Sequence, residues 1–95
     1  MQRTISWQNP TTYTDGTPIA TPDKTILFVH VWRDGAEVYQ TLPNVTTFPI
    51  EVNPGVTNVW QLQAELNGQK SALSPAYSYT EPFQTPMAPA QVRVS

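Results

Sequence analysis

Along most of the chain apolar residues recur at every second position, the spacing of strands that bury one face. Arg3 to Trp7 is the first such run, with Ile5 and Trp7 on one side and Thr4 and Ser6 on the other. Gln8 to Lys24 breaks the pattern with Asn9-Pro10, Asp15-Gly16, Thr17-Pro18 and Thr21-Pro22, a density of turn residues that predicts a long loop with neither regular strand nor helix. Thr25 to Trp32 is apolar at nearly every position. It sets Leu27, Val29 and Val31 on one face and Ile26, Phe28, His30 and Trp32 on the other, so both faces need cover. Arg33-Asp34-Gly35-Ala36 supplies a tight turn, and Glu37 to Leu42 returns as the second arm of a hairpin carrying Val38 and Tyr39.

Alternation resumes in Thr46 to Val52, where Phe48, Ile50 and Val52 face inward and Pro49 falls on the outward set. A proline cannot donate to a ladder, so this strand is expected at a sheet edge. Asn53-Pro54-Gly55 turns the chain into Asn58 to Glu65, with Trp60, Leu62 and Ala64 inward and Gln61, Gln63 and Glu65 outward. After Asn67-Gly68 a last strand is expected within Ser71 to Glu81, where Tyr77 and Tyr79 share a face. Prolines then recur from Pro82 to Pro89, the signature of an extended, semi-rigid tether, before Ala90 to Ser95 alternates once more through Val92 and Val94. The expected organisation is a domain over 1–81 and a proline-rich tail over 82–95 with an extra strand at 90–95. Six to seven short one-faced strands must cover one another, which predicts an all-β, two-sheet antiparallel sandwich, with a barrel as the other architecture.

Composition agrees with this picture and removes several functions. Ten prolines, four glycines and no apolar residues at helical spacing favour strands and structured turns in a chain of 95 residues. Without cysteine there is no disulfide, thiolate metal site or thiol nucleophile. The net charge of −2 is dispersed, with no basic cluster of the kind phosphate backbones require, so no nucleic-acid partner is expected. No segment is apolar and long enough for a membrane helix, and Met1-Gln2-Arg3-Thr4 leads into strand sequence without a signal-peptide core.

Candidate chemistry is sparse. His30 is the only histidine, and its strand offers no second ligand or carboxylate at a useful spacing. Asp15, Asp23 and Asp34 sit beside turn residues, where carboxylates commonly accept backbone N–H groups. No loop carries the alternating acidic run of a calcium site, no serine lies in a nucleophile elbow and no glycine-rich loop could cradle phosphate. The expectation is a non-enzymatic protein with no cofactor and no metal.

Taken in order, these signals resemble the fibronectin type III family, most closely its bacterial and bacteriophage members, over roughly residues 3–81. Ile5-Ser6-Trp7 with Pro10 is similar to the family's second strand, and Asp15-Gly16-Thr17-Pro18-Ile19 to the loop after it. Val29-His30-Val31 with Asp34-Gly35 matches the third strand and its turn. Phe48, Ile50, Val52 and Pro54-Gly55 match the fifth strand and its exit, and Trp60, Leu62, Ala64, Ser71 and Ser74 match the sixth strand and the serine-bearing approach to the last. The chain departs from the family twice. Asn58 stands where the family usually has a tyrosine that locks the turn before the sixth strand, so the lock is either absent or replaced by an amide hydrogen bond. The family's first strand has no counterpart before Arg3, whereas Thr85 to Val94 resembles the linker and first strand that open such a module.

Three arrangements of Gln91 to Ser95 are open at this level: pairing with the strand around Ile5 in cis, pairing in trans with a second copy, or a tail cut from a neighbouring module. The resemblance implies a module that presents a surface to a protein partner or to itself through strand pairing. A phage or virion structural component of the tail or capsid surface is the first expectation. An accessory spacer of a secreted carbohydrate-active enzyme with weak sugar contact, or a cell-surface adhesin, is the alternative; the location expected is a virion or the cell exterior. The candidate contact residues are Ile26, Phe28 and Trp32, on the strand face opposite Leu27, Val29 and Val31, together with Val92 and Val94 of the tail.

Overall fold

The computed structural model describes residues 1–91, 93 and 94. Strands β1 (Gln2–Ser6) and β4 (Thr47–Glu51) pair antiparallel as a two-stranded sheet. In the second sheet β2 (Phe28–Arg33) lies between β3 (Ala36–Gln40) and β5 (Thr57–Leu66). The two-residue β6 (Gln69–Lys70) and then β7 (Tyr77–Thr80) pair with the far edge of β5. All these pairings are antiparallel, and the only helix among the described residues is one turn, α1 (Thr21–Lys24). The chain is all-β.

Turn chemistry sets the registers. Asp34 and Gly35, at φ 52° and 84°, connect β2 to β3, and Asn67 and Gly68, at 53° and 77°, connect β5 to β6. Two consecutive left-handed residues give a turn whose twist matches that of the strands it joins. Asp34 also reaches β5: its carboxylate accepts the Val59 N–H at 2.8 Å and the Asn58 side-chain amide at 2.9 Å. Of the two alternatives open for Asn58, an absent lock or an amide hydrogen bond, the side chain makes an amide hydrogen bond, and its partner is the β2–β3 turn. Both bonds, the Val59 N–H first, hold the Asp34 carboxyl below its ordinary value.

The two sheets share a core through their alternating inward residues. Val31 of β2, Trp60 of β5 and Ile50 of β4 are buried with Val52, and Ile5 and Phe48 pack at the margin. A second cluster of Ile19, Leu27, Val29 and Leu66 adjoins the first, and Trp7 and Leu62 pack against both. Leu27, Val29 and Val31 thus point inward, as the alternation predicts.

The structure corrects the expectation in three places. The 8–24 connection holds the helical turn α1, started by Pro22, whose fixed φ suits the first turn of a helix. Just before it Ile19 enters the core at 4% exposure, fixed by its N–H to the Thr11 carbonyl at 2.9 Å. The last strand, expected within Ser71 to Glu81, forms only as β7 and is preceded by the short β6, yet the segment between them stays on β5 through two serines. Ser71 donates its N–H to the Ala64 carbonyl and accepts the Ala64 N–H on Oγ; Ser74 does the same with Leu62, all near 2.8–2.9 Å. Each side chain replaces the carbonyl that a regular strand would have offered, so the ladder is satisfied across the interruption. The extra strand expected at 90–95 does not form among the described residues of that segment, where Gln91 takes φ 56° and Val94 is exposed; Val92 and Ser95 lie outside the described residues.

Candidate functional site

Two long sides run between the sheets, and they are finished differently. On one side β3 and β4 face each other, and the rings of Tyr39 and Phe48 stack across the gap with centroids 4.3 Å apart. On this side the outer edge of β4 also lacks one donor. The Trp7 N–H donates to the Thr46 carbonyl and the Val52 N–H to the Met1 carbonyl, which fixes the register so that odd-numbered residues of β1 bond to β4. Pro49 lies opposite Thr4, a pair that does not exchange these bonds, so the position without an N–H falls on the outer edge of β4.

The other side, between β1 and β7, is open. By the same parity Gln2, Thr4 and Ser6 aim their N–H and C=O groups at the free edge of β1, and no strand among the described residues pairs there. Behind that edge runs a groove of about 500 Å³ floored by Ile5, Ile50, Trp60 and Leu62 and walled by Tyr77 and Tyr79. Trp60, which lines it, keeps a buried indole N–H without a partner among the described residues.

One charged strap crosses this open side. Glu81, just past β7 and 1% exposed, receives the Arg3 guanidinium at both carboxylate oxygens, with Nε at 3.0 Å from Oε2. Tyr79 donates its hydroxyl to the same oxygen at 2.6 Å. The Arg3 hydrogen bond, then that of Tyr79, hold the Glu81 carboxyl down at about 2, against burial that pushes it up. In return Glu81 raises both Arg3 and Tyr79 above their ordinary values. The strap ties β1 to the end of β7 and leaves the rest of the groove uncovered.

The outward face of β2 differs from a bare apolar patch. Phe28 and Trp32 are half-buried on it, opposite Glu65 and Gln61 of β5, and Ile26 lies before the strand, 48% exposed. Between Phe28 and Trp32 sits buried His30, whose Nδ1 meets Glu37 of β3 and whose Nε2 meets Glu65 Oε1 at 2.9 Å. The sequence offers no carboxylate near His30 because both partners come from neighbouring strands, one across the hairpin and one across the sheet. The two nitrogens face different carboxylates, so they do not converge on one point, and no metal-ligating cluster occurs among the described residues. Of the contact residues expected from sequence, Phe28 and Trp32 share a face, Ile26 lies off the strand, Val94 stands on the tail and Val92 is outside the described residues. The groove itself escaped sequence reading; the only signal was the proline at one edge position and its absence from the other.

No family model, curated protein or solved structure matches the chain.

Proposed function

We propose that this protein is a non-catalytic interaction and assembly module of the fibronectin type III kind, with no strand among the described residues on the outer edge of β1, and that it works by accepting an extended peptide there. Supporting the fold reading is the arrangement of β1 with β4 against β3, β2, β5 and β7, together with the serine-bridged approach to the last strand. The observation that carries the functional reading is the contrast between the two sides: a proline and a ring stack at β4, an unpaired edge above an apolar groove at β1. Sheet edges left with free N–H and C=O groups take up strands from other chains, with main-chain bonds giving affinity and pockets for alternate side chains giving selectivity. A phage or virion structural role fits such a module.

The reading is tested by selecting binders from a displayed random-octapeptide library on the immobilised chain and repeating the binding with Thr4→Pro, which removes one outward N–H and leaves the β1–β4 bonds intact. Selected peptides should alternate apolar residues and lose at least about ten-fold in affinity on Thr4→Pro, the scale of a lost main-chain bond and its pocket contacts. Peptides whose binding ignores Thr4→Pro would place the interaction elsewhere. A second reading, weak carbohydrate contact by an accessory domain, draws on Tyr77, 67% exposed at the groove wall. Soluble oligosaccharides titrated against the same chain should then shift the Tyr77 amide resonance.

A further inference from the structure

The occupant of the groove can be argued from the same chain. Past Glu81 the tail leaves the body in a fixed direction. Pro54 bridges in parallel to Glu81, the Gly55 N–H donates to the Glu81 carbonyl at 2.7 Å, and the Phe83 ring lies over Gly55, where a Cβ would collide with it. The prolines that follow keep the chain extended, and the molecule reaches 76 Å along its long axis against 25 and 22 Å across. The tail does not fold back on its own β1: residues 82–91, 93 and 94 are exposed, and Val94 is 98% exposed.

Two incomplete features therefore stand on one molecule and do not meet within it. One is an edge of five residues, Gln2–Ser6, above an apolar groove. The other is the segment Gln91 to Ser95, alternating in sequence through Val92 and Val94, whose described residues Gln91, Arg93 and Val94 are exposed. We infer that the tail segment of one copy docks as a strand on the β1 edge of a second copy, with its valines in the groove behind Ile5. This rests on the peptide-accepting reading above and names its partner. Donor and acceptor are different surfaces, so the contact is heterologous: each copy gives one strand and takes one, and the product is a head-to-tail chain or a closed ring. Within the β1–β4 sheet, Pro49 takes one outward N–H from the β4 edge, so β1 is the edge with its full set of donors.

The test uses sedimentation velocity on the full chain over about 1 µM to 1 mM, a range covering weak to moderate affinities, with two variants. Val94→Asp spoils the donor at an exposed position outside the core, and Thr4→Pro spoils the acceptor. The wild type should form species that grow with concentration, and each variant alone should remain monomeric. An equimolar mixture of the two should stop at a heterodimer, because each copy retains the half that the other lacks. Circular dichroism of Thr4→Pro confirms that it is folded; if it is not, Ser6→Pro removes another outward N–H in its place. A wild type that stays monomeric throughout, or oligomers that persist in Val94→Asp, overturns tail donation. Octapeptide binding that is lost in Thr4→Pro would survive either result, so the two readings fail separately.

Discussion

The β3–β4 side and the β1–β7 side are built from the same materials and finished in opposite ways. On the first, two aromatic rings stack across the sheets and a proline occupies the edge position that would otherwise invite another strand. On the second, one Arg–Glu–Tyr strap crosses a groove of about 500 Å³, and the backbone edge is left with its polar groups outward. A sheet edge is a liability in any β protein, and natural proteins blunt those they do not use. In the β1–β4 sheet the β4 edge carries a proline and the β1 edge does not, and it is the β1 edge that lies over the groove.

Four substitutions sharpen this contrast. Trp60 lines the open side and is buried between the sheets at 5% exposure, so Trp60→Ala should cost about 3–5 kcal/mol in urea unfolding. That is a large share of a small domain's stability, and a loss under about 1 kcal/mol would mean that the groove floor does not hold the sheets together. Ser74→Ala leaves the Leu62 N–H without its acceptor at the groove wall and should cost about 1–3 kcal/mol by the same measurement. On the closed side, a double-mutant cycle of Tyr39→Ala and Phe48→Ala should return a coupling of about 0.5–1.5 kcal/mol; a coupling near zero would show that the ring stack does not close that side.

The smallest effect is confined to acid. The folded-state value of Glu81, about 2, lies below its ordinary 4.5, so the folded protein binds this proton less readily than the unfolded chain. The stabilisation is therefore fully present above about pH 4.5 and is lost as pH falls through about 2. Melting temperature followed from pH 6 to 2 should fall less steeply in Glu81→Gln than in the wild type. Parallel curves would show that the strap does not couple to folding.

Sequence reading served best where a local pattern had one physical outcome. The alternation of Leu27, Val29 and Val31 placed them inward because a pleated strand has a period of two, and Asp34-Gly35 and Asn67-Gly68 turned the chain because those pairs tolerate left-handed backbone. Pro49 marked an edge because it has no N–H to give. Ile19 was harder to see: it stands between Pro18 and Ala20 in a loop with no periodicity, and only the folded 8–24 segment delivers it to the core.

Long-range partners were beyond local reading. Arg3 and Glu81 are 78 residues apart and His30 and Glu65 are 35 apart, and no spacing rule joins them. The sequence by itself determined the all-β class, the turns, the inward faces and the edge position of β4, because each follows from the conformational limits of residues near one another in the chain. The tertiary structure alone decided that no described strand pairs with the outer edge of β1 over the groove, that Glu81 is clasped across it, and that the described residues of the tail stay exposed. Those facts depend on which strands become neighbours, and that is set by packing both sheets over one core.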